Sequence, residues 1–222
     1  MSTQHPDNVR QPFFADNSIL GGDDEIKEAF YAFSHLKIKE QLWDCEGKEV
    51  DNFVVEKLLT KYEDYFRKHK IGRDVFITLR GPNPRVEKNK GKLLLETLES
   101  IPRNSDIARQ FYNEDSAPIF EVTIPMVGSS EEILRVKNYY DEFIIGKKSK
   151  KINDISIKEW VGDFKPDTIN VIPLIEDKDS MLKAAEITGG YLNKVSTEYQ
   201  RVWLARSDPA LNYGNLSAIL LN

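Results

Sequence analysis

Apolar and polar positions follow two different periods along this chain. Short β-branched or apolar runs, the period expected of strands, alternate with longer stretches of helical spacing. Strands are predicted at 37–43 (the weakest run), 74–79, 118–124, 168–175 and 201–205. The run Asn170–Ile175 is the most continuously apolar, which is typical of a parallel strand buried on both faces.

Amphipathic helices are predicted between these strands. The stretch Glu49–Lys70 carries apolar side chains at helical spacing. A second helix is marked by Leu94, Leu95 and Leu98, and Pro102 is expected to stop it. A third opens at 129–132 with a cap and an acidic first turn, and presents Ile133, Leu134, Tyr140 and Phe143 as its apolar side. A fourth begins at Asp179 or Ser180 and ends near Gly189 and Gly190.

Strands that alternate with helices predict βα units and a parallel sheet. About five successive units fit a (β/α)₈ TIM-barrel fold better than a dinucleotide-binding fold, because no G-x-G-x-x-G follows any strand. A doubly wound sheet remains the alternative. A complete barrel needs about 250 residues, so the 222 residues predict an incomplete barrel forming a single domain over 1–222.

Composition narrows the class of protein. A formal net charge of −5 and a pI near 5.4 argue against nucleic-acid binding. The basic run Lys147–Lys151 is interpreted as a solvated loop, since a few lysines neutralise few phosphates. Cys45 is the only cysteine, so there is no disulfide framework, and we expect it to fill the core. No signal peptide or bilayer-spanning stretch is present, which predicts a cytoplasmic protein without a membrane partner.

Charged or special residues cluster where each predicted strand ends. They are Trp43, Asp44 and Lys48; Arg80; Pro125; Glu176 and Asp177; Arg206, Ser207 and Asp208. Barrel enzymes build their active sites from the carboxyl ends of the strands and the loops that follow. A series of such residues on one rim therefore predicts an active site there.

Two carboxylates of this rim suit a metal ion. Glu176 and Asp208 each follow an apolar strand and should leave the sheet at the same height. Two hard oxygen ligands without His or Cys favour Mg²⁺ or Mn²⁺, which take further ligands from water and from a phosphate-bearing substrate. The alternative for each is a solvated loop acid or a helix cap.

Cationic and proton-transferring candidates complete the predicted site. Arg80 precedes the rigid segment 81–84 and could bind phosphate or carboxylate bidentately, or form a salt bridge on the rim. Arg206 is a second anion-binding candidate that could instead pair with Asp208, and Lys48 a third. His5 could give and take a proton, although a histidine so near a terminus is commonly disordered. His35 and His69 are expected to be surface or packing residues.

Four segments carry a family resemblance: 2–8 (Ser-Thr-Gln-His-Pro-Asp-Asn), 43–48 (Trp-Asp-Cys-Glu-Gly-Lys), 78–84 (Thr-Leu-Arg-Gly-Pro-Asn-Pro) and 204–214. Together they closely resemble the signature segments of the archaeal-type phosphoenolpyruvate carboxylases. The resemblance covers Met1 to Asn222, and the family continues well past this point, so the chain looks like an amino-terminal portion.

The resemblance also suggests roles for single residues. The segment 171–176 is similar to the Val-Pro-Leu-Phe-Glu segment of the larger bacterial and plant carboxylases, which implies that Glu176 holds the metal. Ser207-Asp208-Pro209-Ala210 is similar to their Ser-Asp-Ser-Ala, which implies that Asp208 is the other ligand. Gln4-His5-Pro6-Asp7 resembles their Ala-His-Pro-Thr, whose histidine is essential. Leu211 stands where those enzymes carry a lysine.

The implied activity is Mg²⁺-dependent carboxylation of phosphoenolpyruvate by bicarbonate, giving oxaloacetate and phosphate. His5 would be the base, and Arg80 would hold an anionic group. Full-length relatives are homotetramers generally indifferent to acetyl-CoA, so a homo-oligomer is expected. The family's carboxyl-terminal half supplies further arginines and a glycine-rich loop, so we expect this chain alone to be inactive. Two alternatives stay open: another Mg²⁺-dependent barrel lyase or phosphotransferase acting on phosphoenolpyruvate or pyruvate, and a non-catalytic piece that needs a partner chain.

Overall fold

The computed structural model describes residues 1–5, 8–45 and 51–221. Its central feature is a parallel sheet, accompanied by a small antiparallel hairpin. The strands are β1 Ser2–Thr3, β2 Glu40–Asp44, β3 Phe76–Arg80, β4 Glu121–Ile124, β5 Lys151–Ile152, β6 Ile155–Ser156, β7 Asn170–Ile175 and β8 Trp203–Leu204. All but β5 and β6, which form the hairpin, belong to the parallel sheet.

Helices lie between successive strands of the sheet and after β8. They are α1 Asp23–Ser34, α2 Val54–Lys61, α3 Glu63–Phe66, α4 Gly91–Tyr112, α5 Ser130–Asn138, α6 Ile157–Val161, α7 Lys178–Leu182, α8 Ala184–Leu192, α9 Ser207–Tyr213 and α10 Asn215–Leu221. Short 3₁₀ turns lie at Lys88–Lys90 and Ile145–Ser149, and one π-helical turn follows α5 at Tyr139–Ile144. Within the described ranges, no helix is both long and apolar enough to cross a membrane.

The strand order follows the chain. The sheet reads β1-β2-β3-β4-β7-β8, and every neighbouring pair is parallel. A doubly wound sheet instead reverses its strand order at a switch point. No reversal occurs among the described strands, so the sheet is singly wound, as the barrel prediction implies.

The sheet is curled into a half-barrel. Arg201, which precedes β8, donates from Nη1 and Nη2 to the two carboxylate oxygens of Glu40 on β2, at 2.8 and 3.0 Å. Its Nη1 also lies 2.5 Å from a carboxylate oxygen of Glu121 on β4. In a flat sheet β2 and β8 would be about 19 Å apart, at about 4.8 Å per strand, too far for one arginine–glutamate pair. The network therefore requires curvature.

The apolar core lies between the outer face of the sheet and the helices. Residues alternate along each strand, so that Trp43 on β2 and Ile77 and Leu79 on β3 are buried against the helices. Cys45 belongs to this layer and is fully buried, as predicted. Burial raises the pKa of its thiol to about 12, so it serves as core filler.

The five predicted strands all form, with shorter bounds, but several elements were not predicted, among them β1, α1, the hairpin β5–β6 and helix α6. Strand β1 has only two residues, too few for any periodicity. Helix α1 has a readable pattern, since Ile26, Ala29, Phe30 and Phe33 fall at the i, i+3, i+4 and i+7 spacing of one helix face. Three of these four side chains are buried, and Phe30 packs on the same core.

Some predicted helix limits are wrong. Pro102 does not stop its helix, because α4 runs through it for 22 residues. A proline inside a helix costs about 3 kcal/mol, whereas full burial of Leu98 and of Ile101 contributes about 1.5–3 kcal/mol each. The neighbouring Ser100 hydroxyl also donates to the Thr97 carbonyl at 2.7 Å. Tertiary burial outweighs the local penalty.

Three further expectations change. The stretch predicted as one helix up to Lys70 contains two helices, α2 and α3, which meet at the non-helical Tyr62. Phe143, predicted to be on the apolar side, is 55% exposed because the π-helical turn shifts the helical phase. The basic run forms a 3₁₀ turn leading into β5 instead of a loop.

Candidate active site

A cleft of about 490 Å³ opens at the carboxyl ends of the strands of the half-barrel. Arg80, Glu176 and Asp208, three of the residues predicted from sequence, line it together. The rest of its lining comprises Met1, Leu42, Leu174, Val202, Trp203, Leu204, Ala205 and Ser207. The cleft therefore combines two carboxylates and a guanidinium with apolar walls supplied by the strands.

Parallel pairing of β7 and β8 places the two carboxylates on one rim. Leu174 pairs with Trp203 and Ile175 with Leu204, and the Ala205 N–H extends the ladder to the Ile175 carbonyl at 2.8 Å. Glu176 follows β7 directly. Asp208 lies in the first turn of α9, the helix after β8.

Asp177, the neighbour of Glu176, has a structural role. Its carboxylate caps α7 by accepting a hydrogen bond from the Ser180 N–H at 2.9 Å. Burial acts to raise the pKa of Asp177, but hydrogen bonds from the Ser180 side chain and from backbone N–H groups outweigh it and lower the pKa. The helix cap at this strand end is therefore Asp177, and not Glu176, for which that alternative was considered.

Arg80 ends β3 directly beside Asp44, which ends β2, because the two residues are paired in the sheet register. Arg80 Nε lies 3.4 Å from Asp44 Oδ1, and both side chains are under one-third exposed. Arg80 therefore forms the rim salt bridge considered above and also lines the cleft. Trp43 instead faces the core, and its indole N–H donates to the Asp51 carbonyl at 3.0 Å.

His5 is held in place at the carboxyl end of β1. The side-chain amide oxygen of the preceding residue, Gln4, accepts from the Asp44 N–H at 2.8 Å and so ties the end of β1 to the end of β2. The Glu28 carboxylate accepts from the His5 backbone N–H at 3.0 Å, and its other oxygen lies 2.7 Å from His5 Nδ1. His5 is thus anchored, although its side chain is 60% exposed.

The other predicted anion-binding residues are not placed in the cleft. Arg206 is exposed just before α9 and does not line the cleft. Among the described residues, no ion pair joins it to Asp208. Lys48 lies outside the described residues, as do Pro6 and Asp7 of the Gln-His-Pro-Asp segment. His35 and His69 are exposed and stack on Tyr31 and Tyr65, in agreement with a packing role.

The donor set of the cleft suits a hard cation with an anionic substrate. Within the described ranges, no group of three or more His, Cys, Asp or Glu side chains is arranged for a metal. Mg²⁺ commonly binds through one or two carboxylates and completes its shell with waters and substrate oxygens. Glu176 and Asp208 fit this mode of binding, and Arg80 adds positive charge to the same cleft.

Comparison with known proteins decides the family. The family model described as phosphoenolpyruvate carboxylase matches residues 1–222. The chain belongs to the phosphoenolpyruvate carboxylase family. A phosphoenolpyruvate carboxylase of Methanothermobacter thermautotrophicus is 60% identical over 223 residues, which cover 100% of this chain and 46% of that protein.

Further archaeal members of the phosphoenolpyruvate carboxylase family agree. That of Pyrococcus abyssi is 57% identical over 99% of this chain and 46% of its own length. That of Halobacterium salinarum is 50% identical over 100% of this chain and 46% of its own length. The chain thus spans about half the length of the curated relatives that it matches.

The sequence interpretation missed Glu28, although it identified His5. No local motif points to Glu28, because its contact with His5 joins positions 23 residues apart. The readable signal was indirect. The helical spacing around it predicts α1, and Glu28 lies on that helix among buried apolar residues.

Proposed function

We propose that this chain forms the metal- and base-bearing part of a phosphoenolpyruvate carboxylase active site, converting phosphoenolpyruvate and bicarbonate to oxaloacetate and phosphate. The observation that carries the proposal is the convergence of Arg80, Glu176 and Asp208 in one cleft at the carboxyl ends of parallel strands. The half-barrel would then be the first part of a (β/α)₈ barrel, with residues 1–222 in a single domain.

The chemistry divides among the residues of this rim. Glu176 and Asp208 would hold a Mg²⁺ or Mn²⁺ ion, which supplies charge neutralisation at the substrate phosphate and enolate oxygens. A bicarbonate oxygen attacks phosphorus and the bond between phosphorus and the enol oxygen breaks, giving carboxyphosphate and the enolate. His5 takes the carboxyl proton of carboxyphosphate, which then splits into CO₂ and phosphate. The enolate carbon attacks CO₂ to form oxaloacetate.

Arg80 suits the anionic groups of this reaction. Its position is set from both sides, by the β3 ladder and by Asp44, so little conformational freedom remains to be lost when an anion binds. The cleft is open to solvent, although Leu42, Leu174 and Trp203 give it apolar walls, so exclusion of water is proposed to need the additional segment that the relatives carry. Exclusion matters because an exposed enolate would be protonated to pyruvate.

Catalysis is proposed to need the additional segment that the relatives carry. An observation in support is the apolar surface at α9 and α10, where Leu211, Leu216 and Leu220 are 84, 72 and 78% exposed. Such a patch is costly in water and is typical of a surface covered by another part of a protein. A non-catalytic chain that acts only with a partner segment is therefore the second candidate.

A chimera tests the function directly. Residues 1–222 would replace the matching segment of the Methanothermobacter thermautotrophicus relative, and oxaloacetate formation would be measured with and without bicarbonate. We expect bicarbonate-dependent turnover by the chimera and none by the isolated chain. Turnover by the isolated chain would contradict the need for a further segment, and an inactive but folded chimera would contradict the proposed function.

The metal role has its own substitution. Asp208→Asn in the chimera should lower kcat by at least about 10²-fold, because roughly 3 kcal/mol of transition-state stabilisation is lost, and should weaken Mn²⁺ binding. The matched control is Asp179→Asn, an exposed aspartate in the first turn of α7 outside the cleft. Equal Mn²⁺ affinity in the two variants would refute the assignment of Asp208.

A further inference from the structure

Both carboxylate oxygens of Glu28 contact His5. One oxygen accepts from the His5 backbone N–H at 3.0 Å, and the other lies 2.7 Å from the ring atom Nδ1. The Glu28 side chain is only 12% exposed, whereas that of His5 is 60% exposed. A largely buried carboxylate thus contacts the Nδ1 side of an exposed imidazole ring.

The fold restricts the movement of both residues in this contact. Glu28 lies in the middle of α1, where Ile26, Ala29 and Phe33 on the same helix are at most 1% exposed. His5 in turn follows β1 and Gln4, whose side-chain amide oxygen accepts from the N–H of Asp44 at the end of β2. The carboxylate and the ring therefore belong to two anchored elements, and their contact fixes the ring relative to the sheet.

The contact also selects one tautomer of His5. An ionised carboxylate can only accept hydrogen bonds, so Nδ1 must carry the hydrogen. In a neutral imidazole the other nitrogen, Nε2, is then the acceptor. Nε2 lies on the opposite side of the ring from Nδ1, and the side chain is largely exposed. The ring is therefore oriented to accept a proton at Nε2.

We propose that Glu28 is a positioning residue that holds His5 in the Nδ1–H tautomer and stabilises the imidazolium formed when Nε2 takes a proton. This assignment deepens the proposed function and rests on it for the role of His5 in catalysis. The tautomer itself does not depend on the reaction, so it is measured separately. Carboxylates that orient a histidine in this way act through tautomer and charge, without touching the substrate.

The first test is spectroscopic and uses the chain itself. Long-range ¹H–¹⁵N spectra at alkaline pH, where imidazole rings are neutral, report the tautomer of each of its three histidines. We expect His5 to show Nδ1–H and to shift toward the Nε2–H form in Glu28→Gln, because an amide has one acceptor atom for two donors. His69, exposed beside Tyr65, is the internal reference. A His5 ring in the Nε2–H form in the unsubstituted chain would overturn the proposal.

The second test is a double-mutant cycle in the chimera. Glu28→Gln should lower kcat by about 10–10³-fold with less than a twofold change in KM for phosphoenolpyruvate. In a His5→Ala background the same substitution should cause no further loss, because Glu28 acts through His5. The control is Asp24→Asn on the same helix, whose carboxylate pairs with Lys27 at 2.7 Å.

The outcomes separate the two proposals. Additive losses in the cycle, or a higher KM at unchanged kcat, would show that Glu28 acts by a structural route and would overturn its positioning role. An inactive chimera with His5 in the Nδ1–H tautomer would contradict the proposed function but support the tautomer assignment. An unchanged tautomer in Glu28→Gln would overturn the assignment whatever the activity.

Discussion

Replacing Arg201 by methionine should destabilise the half-barrel more than the loss of a surface ion pair would. Arg201 joins β8 to Glu40 on β2 and Glu121 on β4 inside the curl. The side chains of these glutamates are 18% and 7% exposed, and that of Arg201 is 31% exposed. Arg201→Met leaves two poorly solvated carboxylates close together without the guanidinium that binds both.

The magnitude follows from this burial. Removing one partner of a buried ion pair costs about 3–5 kcal/mol. Because Arg201 is still partly solvated, we expect a loss of about 2–4 kcal/mol in the free energy of unfolding at pH 7. For a chain of this size each kcal/mol lowers Tm by about 2–4 °C, so Tm should fall by about 4–16 °C.

The loss should depend on pH. Burial acts to raise the pKa of Glu40, but hydrogen bonds from Arg201 and Thr78 outweigh it and hold the pKa below its ordinary value of 4.5. The stabilisation from Glu40 is thus fully present above pH 4.5 and is lost as the pH falls through the lower folded pKa. In Arg201→Met, acid instead relieves the repulsion between the two carboxylates. The difference between the two proteins should therefore shrink below about pH 4.5.

Urea unfolding followed by circular dichroism at pH 7 and at pH 4 measures both effects. The control, Arg109→Met, removes an exposed pair with Asp106 and should cost less than about 1 kcal/mol. Adding Glu40→Gln and Glu121→Gln to Arg201→Met should restore at least half of the loss, because the uncompensated charges are gone. A loss below about 1 kcal/mol at pH 7, or one that is equal at both pH values, would refute the reasoning.

Two further predictions concern packing. Gly72→Ala should lower the free energy of unfolding by about 3 kcal/mol or more, because its φ is +90° and an added Cβ would lie 2.3 Å from the Ala117 carbonyl oxygen. The control Gly22→Ala, with φ +53° and open space around it, should cost about 1–2 kcal/mol in the same thermal unfolding assay. Equal losses in the two variants would contradict the clash. Cys45 should resist a thiol reagent at pH 8 in the native chain and react in urea, because burial raises its pKa to about 12; labelling of the native chain at the rate of a free thiol would contradict its burial.

The parallel sheet could be predicted because its strands are apolar and separated by helices. The continuous run of β7 and the absence of a dinucleotide motif were sufficient to favour a singly wound order. The barrel prediction implied a curled sheet, but the contact between Glu40 and Arg201 that requires the curl could not be predicted, because the two residues are 161 positions apart. Pro102 misled the helix assignment because a local rule gave way to burial of the same helix.

The candidate site was predictable to the extent that it follows strand ends. Arg80, Glu176 and Asp208 each stand at or just after an apolar strand, and parallel pairing brings them to one cleft. Arg206 passed the same criterion but does not line the cleft, because sequence position does not specify side-chain direction. The contact between Glu28 and His5 joins helix α1 to the end of strand β1. Neither element was predicted, so the geometry of this contact could not be predicted from the sequence.

The order of the strands in the sheet has a consequence for the synthesis of the protein on the ribosome. Each strand after β1 pairs with the strand of the sheet made just before it, so the sheet can grow by addition while translation continues. At about 5–20 residues per second, the 161 positions between Glu40 and Arg201 take about 8–32 s to synthesise. Glu40 therefore emerges long before its guanidinium partner, and the ion pair across the curl can form only after the strands between the two residues have been made.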